Sequence, residues 1–367
     1  MAQTSFTSVP LSIKAIGVGG GGCNAVNRMV KADILGVDFV AVNTDVQVLM
    51  MSEAPSRIQI GKETCQGLGA GGDPGRGRQA AEESLGELEA AVKGAHMVFI
   101  AAGMGGGTGT GAAPVIARLA RRSGALTIAI VTKPFDLEMA RRSQIAEEGI
   151  DQLEQEVDAM IVIPNERLLT ITGDSVTIDS AFKTADDVLM VGVRAISEVI
   201  TVPGLVNLDF ADVKAIMRQA GPCQLSIGYG SGQNRVVEAA RAAITSDLLE
   251  VPIDGATGVL YVISGPSDLT LSEVSQAADV VGAALDEEAM VMFGVTLDRR
   301  LHDDVTITLV ATGFTPHKAI VEEHKDEEFR HLVRELEGDE GRLEVPAFMR
   351  RPIDMRHISR KTQALVR

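Results

Sequence analysis

Six glycines and two threonines crowd into the nine residues Gly103-Met104-Gly105-Gly106-Gly107-Thr108-Gly109-Thr110-Gly111. Glycine lets a backbone turn inward until its N–H groups converge on an anion. Threonine hydroxyls add donors, and a helix N-terminus behind them adds partial positive charge. The chemistry such a run can do is phosphate binding. A flexible linker would not sit so tightly between ordered segments. His96 to Ala102 read as a buried strand, and Ala112 to Ala120 as a helix carrying Pro114 in its first turn. A second glycine run, Gly17-Val18-Gly19-Gly20-Gly21-Gly22, follows a strand at Ser12–Val18 and precedes a helix at Cys23–Ala32. Alone it fits the dinucleotide fingerprint, with Asp38 near the place of a ribose-binding acid, so a nicotinamide-dependent dehydrogenase is the rival reading. Two glycine runs on neighbouring strand ends suit a triphosphate better. No GxxxxGK[ST] motif is present, so neutralising that charge would fall to backbone amides and a magnesium ion.

These loops need elements to hold them. Val37–Val42 read as a strand ending in Asn43-Thr44-Asp45, and Arg57–Ile60 as a short one. Gly67–Gly77 form a loop containing Asp73-Pro74, and Arg78–Lys93 a helix. Strands follow at Ala125–Thr132 and Ala159–Pro164, separated by a helix over Leu137–Glu156. Such alternation predicts a parallel sheet covered on both faces, with its ligand at the carboxyl ends of the strands. Ile178–Val202 then read as one helix about 37 Å long, apolar nearly all round and buried between two bodies, ended by Pro203-Gly204. A second unit of strands (Cys223–Tyr229, Val259–Ser264, Met290–Leu297, Val305–Ala311) and helices (Arg235–Ile244, Leu271–Leu285) runs to about Thr315.

Composition excludes several classes. Net charge is −16, aromatics make up 3% and there is no Trp, which argues against a nucleic-acid-binding body. The three cysteines, Cys23, Cys65 and Cys223, are far apart and show no metal or disulfide spacing, so a reducing cytoplasm is expected and no metal ligands are assigned. No signal peptide or membrane span is legible.

With these residues in view, the chain resembles the tubulin/FtsZ family. Gly105–Gly111 are similar to that family's glycine–threonine signature. Asn207-Leu208-Asp209-Phe210-Ala211-Asp212, just after the long helix, are similar to its catalytic loop. The likeness runs from residue 12 to about 315, and Glu344–Arg351 resemble the C-terminal peptide by which bacterial cell-division members bind partners. The resemblance implies a tubulin-like α/β fold. A parallel-sheet GTP-binding domain over 1–177 would be joined by a central helix at 178–203 to a smaller α+β domain at 204–315. A linker at 316–342 and a tail at 343–367 would follow, the tail holding the peptide and a basic terminus. It further implies a cytoplasmic GTPase recruited to mid-cell. The subunits would assemble head to tail into filaments that scaffold the division ring, with GTP or GDP and Mg²⁺ bound and Mg²⁺ held through the phosphates.

Carried over position by position, Gly20, Gly21, Gly22, Cys23 and Asn24 match phosphate-contacting positions, as do Gly103, Met104, Gly105, Gly106, Gly107, Thr108 and Gly109. Asn43, Thr44, Gly71, Gly72 and Asp73 match the loops around phosphates and ribose, with Thr132 beside them. Glu138 and Arg142 match the ribose-side pair, Asn165 and Asp186 the groups that read guanine, and Phe182 the ring that stacks on it. Bland readings stand beside these. Phe182 suits core packing equally well, Glu138 and Arg142 have the spacing of an i,i+4 surface ion pair, and Asp209 with Asp212 would cap a helix. Cys23 is expected to be a small residue in a crowded turn, not a nucleophile. The resemblance places Asn207, Asp209 and Asp212 at the far end of the central helix from the nucleotide. There they would reach the phosphates of the next subunit and orient the attacking water.

Overall fold

In the computed structural model, residues 11–172, 177–202, 204–298 and 301–314 are described. The linker at 316–342, the tail at 343–367 and the peptide Glu344–Arg351 lie outside them. In chain order the first half holds β1 (Ile13–Val18), α1 (Gly19–Lys31), β2 (Val37–Asn43), α2 (Val46–Met51), β3 (Ser56–Gln59), α3 (Pro74–Glu83) and α4 (Leu85–Val92). It continues with β4 (Met97–Gly103), α5 (Thr108–Arg122), β5 (Leu126–Lys133), a 3-10 turn at Asp136–Glu138, α6 (Ala140–Glu154), β6 (Ala159–Pro164) and α7 (Asn165–Thr172). The long helix α8 (Ile178–Thr201) leads to α9 (Phe210–Met217), β7 (Gly221–Ser231), α10 (Arg235–Ile244), β8 (Gly258–Gly265), α11 (Leu271–Gly282), β9 (Met290–Leu297) and β10 (Asp304–Thr312).

The strands form one ten-stranded sheet in the order β3-β2-β1-β4-β5-β6-β7-β10-β8-β9. Strands β3 to β6 pair in parallel, and β4 and β5 are buried almost end to end, as a sheet covered on both faces requires. β7 is the transition. Gly221–Cys223 continue the parallel sheet beside β6, while Gln224–Ser231 turn to an antiparallel ladder with β10. The register aligns Val18 with Val42 and Ala102, Gly103 with Thr132, and Lys133 with Pro164, so the carboxyl ends share one edge. The chain leaves β1 toward β2 on one side and returns as β4 on the other. That reversal opens a crevice between β1 and β4, where ligands of such sheets bind.

Several expectations need correction. Both glycine runs end in helix: α1 starts at Gly19 and α5 at Thr108, so Gly19–Gly22 and Thr108–Gly111 form first turns, while Met104–Gly107 remain a connecting turn after β4. Pro114 therefore sits inside α5, not in its first turn. Arg78–Lys93 divide into α3 and α4 at Ser84, and Leu137–Glu156 break at Met139, whose φ is 77°. α8 is not apolar all round. Its first two turns expose Ile178, Asp179, Ser180, Phe182 and Lys183, and only beyond Thr184 is every residue at least half-buried. From there its apolar face (Val188, Leu189, Val193, Ile196, Val199) packs into the core.

Candidate functional site

A cavity of about 580 Å³ lies at the carboxyl edge of the sheet, over the β1/β4 crevice. Its floor is backbone. Gly20 and Gly21 come from the first turn of α1, Gly103 ends β4, Gly106 and Gly107 form the connecting turn, and Thr108 and Gly109 open α5. Two helix N-termini thus face one space, each with unpaired N–H groups and the positive end of a dipole. The glycines divide into two kinds. A Cβ on Gly22 would lie 2.2 Å from the Ala101 carbonyl oxygen, so that glycine lets α1 seat on β4. A Cβ on Gly20 would meet no protein atom within 4 Å, so that side of the glycine is open space. The Thr44 and Thr108 hydroxyls are buried and lie 2.6 Å apart at the cavity wall. The Thr110 hydroxyl accepts from the Gly105 N–H at 2.9 Å and holds the turn, which Gly105 enters at φ 92°.

The other end of the cavity is built by side chains. Phe182, Ala185 and Asp186 project from the start of α8, Asn165 opens α7, and Thr132, Glu138 and Arg142 close the side. Glu138 and Arg142 form an ion pair across the break at Met139, and both line the cavity; Glu138 also accepts from the Phe135 N–H at 3.0 Å. Phe182 is not core. It is 40% exposed, with its ring edge-to-face on Phe135 at 5.1 Å between centroids. Asn165 is 4% exposed, and its carboxamide oxygen has no hydrogen-bond partner among the described residues. A buried polar atom left unpaired at a cavity wall costs about 1–3 kcal/mol, which a hydrogen-bonding ligand would relieve. Burial pushes the Asp186 carboxyl up to about 7; Arg28, with Nε 3.7 Å from Oδ2, opposes the rise and Asp187 adds to it.

Of the expected site residues, Gly20, Gly21, Asn24, Asn43, Thr44, Gly72, Gly103, Gly106, Gly107, Thr108, Gly109, Thr132, Glu138, Arg142, Asn165, Phe182 and Asp186 line this cavity. Gly22, Cys23, Gly71, Asp73, Met104 and Gly105 do not. Cys23 is fully buried behind the wall, within weak hydrogen-bond reach of the Gly17 and Val42 carbonyls and of the Asn43 amide. Burial drives its thiol up to about 12, so it stays protonated. Met104 is 4% exposed and packs into the core. The Asp73 carboxylate caps α3 through the Gly75 N–H at 2.8 Å. Sequence reasoning missed Asp45, Val48, Gly69 and Ala185. Ala185 was within reach, being one helical turn from Phe182 and next to Asp186; Gly69 carried no signal of its own.

Asn207, Asp209 and Asp212 are elsewhere. They follow the C-terminal end of α8, whereas the cavity touches its start. The fifteen residue-to-residue steps from Asp186 to Thr201 rise about 22 Å at 1.5 Å each. The loop is pinned to β9 by the Leu205 N–H on the Val295 carbonyl and by the Val295 N–H on the Val206 carbonyl. Asn207 accepts from the Gly204 N–H at 2.7 Å, and Asp209 caps α9 by accepting from the Asp212 N–H at 2.8 Å. Asn207 and Asp209 are exposed. The dehydrogenase reading fails on Asp38. It pairs with Lys14 at the amino end of the sheet, four residues or about 13 Å from the carboxyl edge where a ribose would lie. Among the described residues no group of three or more His, Cys, Asp or Glu could hold a metal ion, and no helix is long and apolar enough to cross a membrane.

The profile of the Tubulin/FtsZ family, GTPase domain, matches residues 12–173, and that of the FtsZ family, C-terminal domain, matches residues 221–315. An empty FtsZ dimer from M. jannaschii is 45% identical, with a TM-score of 0.80 over 83% of this chain and 88% of that one. A tryptophan-to-tyrosine mutant of M. jannaschii FtsZ is also 45% identical, with a TM-score of 0.81 over 83% and 91%. CetZ1 from Haloferax volcanii, a GDP-bound monomer, shares the fold at 21% identity, with a TM-score of 0.72 over 83% and 95%.

Proposed function

The chain belongs to the tubulin/FtsZ GTPase family, and from that premise we propose that it hydrolyses GTP between subunits of a head-to-tail filament that scaffolds cell division. GTP hydrolysis and guanine-nucleotide binding follow from the family itself. The triphosphate lies on the amide floor formed by Gly20, Gly21 and Gly106 to Gly109. Glu138 and Arg142 face the ribose, and Asn165 and Asp186 read guanine beneath Phe182. A magnesium ion would supply charge neutralisation at the phosphates, and the buried Thr44 and Thr108 hydroxyls at the cavity wall would be oxygen donors the chain could offer it.

One observation carries the reading: the acidic loop and the cavity sit at opposite ends of α8, with about 22 Å of helix between them. Asp209 and Asp212 are too far to act on their own chain's phosphates, but are exposed or half-exposed where a second copy stacks beneath. In such a contact they orient the attacking water, and phosphoryl transfer asks for little beyond positioning and electrostatics. A heterologous contact that does not close yields an open filament. The FtsZ dimer of the 45% identical relative supports self-association. Residues 344–351 offer a short peptide, with Phe348 as anchor, to membrane-tethering or regulatory division proteins at mid-cell in the cytoplasm.

Mixing tests the shared site. Asp212→Ala lacks the water-orienting group, and Thr108→Arg fills the cavity. Each alone is expected to lose on the order of 10²–10⁴ in turnover. A mixture should recover part of it, because a filament pairs an intact cavity with an intact loop. No recovery, or turnover strictly proportional to protein concentration down to monomers, would refute hydrolysis between subunits.

A further inference from the structure

Arg28 lies on α1, two turns beyond the glycines that face the phosphate end of the cavity, and reaches across to α8. Its Nη1 binds the Asp187 carboxylate directly, and its Nε lies 3.7 Å from Asp186 Oδ2. The two carboxylates divide the guanidinium between them. Asp187, with 46% of its side chain exposed, takes the hydrogen bond. Asp186, with 17% exposed, takes only the field, and no hydrogen bond among the described residues occupies its oxygens. Asp186 thus has the guanidinium on one side and no hydrogen bond from the described residues on the side that faces the cavity.

Guanine offers an N1–H and an N2 amine side by side, and a carboxylate accepts both only when ionised. Burial works against ionisation at Asp186 and Asp187 repels it, so Arg28 is, among the described residues, the nearby cation favouring the charged form. The other groups around it do not substitute. Asn24 on α1, Asn165 on α7 and Thr132 on β5 are neutral. Glu138 and Arg142 are engaged with each other, and Lys183 with Asp179 at 2.6 Å. Tyr229 on β7 is exposed, lies in the field of Asp187, and as a phenol is neutral at physiological pH.

We infer that Arg28 is the positioning residue for base recognition: it sets the charge and aim of Asp186, and so decides how strongly the pocket prefers a base carrying an N2 amine. The inference rests on the reading that Asp186 contacts the base. It adds that a residue outside the cavity lining controls that contact, and that one helix joins the phosphate floor to the base reader.

The test measures GDP and IDP displacing a fluorescent guanine nucleotide from the full-length protein between pH 6 and 8.5. Diphosphates avoid turnover, and the ratio of the two affinities cancels phosphate ionisation. Wild-type protein should lose its GDP preference as pH falls through about 7. Arg28→Gln keeps a donor for Asp187 but no charge. It should reduce the GDP/IDP ratio about five- to tenfold at pH 7 and regain it toward pH 8.5, since one unit of carboxyl pKa is tenfold in ionised fraction. Arg28→Lys should restore the wild-type profile. An equal, pH-independent loss for both nucleotides in Arg28→Gln would reduce Arg28 to a strut between helices and overturn the inference. A wild-type ratio flat across the range would do so without any variant. Asp186→Asn separates the underlying reading: if it keeps the GDP preference, Asp186 does not read the base and both statements fall.

Discussion

Asp186 carries a folding cost that its proposed contact with the base would account for. In the unfolded chain its carboxyl ionises near 3.8, and in the folded, empty protein near 7. Between those values the folded state holds a proton that the unfolded state has released, so stability falls as pH rises through the window. The penalty is complete above about 7 and absent below 3.8. Asp186→Asn is therefore expected to stabilise the nucleotide-free protein by about 1–3 kcal/mol at pH 8 and not at all near pH 4, as read by urea unfolding at the two pH values. The same variant should bind GDP more weakly. Gly20 and Gly22 make a second contrast. Gly22→Ala drives a Cβ to 2.2 Å from a backbone oxygen and should destabilise the fold by about 2–4 kcal/mol. Gly20→Ala meets nothing in the protein, so it should fold as well as the parent while losing at least about tenfold in nucleotide affinity. Equal unfolding midpoints for the two variants would contradict this division.

At the scale of elements, the first turn of α7 ties three parts of the molecule with three consecutive residues. Asn165 faces the cavity, Glu166 accepts from the Asp136 N–H at 3.0 Å and so steadies the turn that carries Glu138, and Arg167 donates to the Asp247 and Leu249 carbonyls after α10. Arg167→Ala should speed hydrogen exchange in residues 245–251 with no more than about a threefold change in GDP affinity; unchanged exchange would show that the loop is held by other contacts. α8 works as a ruler. Its length separates the cavity from the Asp209 loop, and its buried C-terminal two-thirds keep that separation rigid.

For the whole molecule, a net charge of −16 means that stacking copies brings like charges together. Raising KCl from about 50 to about 300 mM is expected to lower the protein concentration at which GTP-dependent light scattering begins, because the Debye length shrinks from about 14 to about 6 Å. A threshold that rises with salt would show that contacts between opposite charges dominate the interface. Removing residues 343–367 should leave phosphate release within about twofold, while abolishing capture of partners by the tail.

Local pattern was enough to bring both glycine runs to the cavity floor, because glycine between strand and helix has few other uses, and to place the strands, because a doubly covered sheet demands unbroken apolar runs. It also put Asp209 at a helix start. What it missed depended on neighbours distant in sequence. Gly22 serves packing while Gly20 faces open space at the cavity, and only the Ala101 carbonyl opposite tells them apart. Nothing near Arg28 in the chain announces Asp186 and Asp187, 158 and 159 residues away. The sequence by itself determined the elements and the chemistry at the sheet edge, because both are written in short-range spacing. Tertiary structure decided which side chains share the cavity, which stand behind its wall and how far the acidic loop lies from it, because burial and distance are properties of packed elements and not of the spacing along the chain.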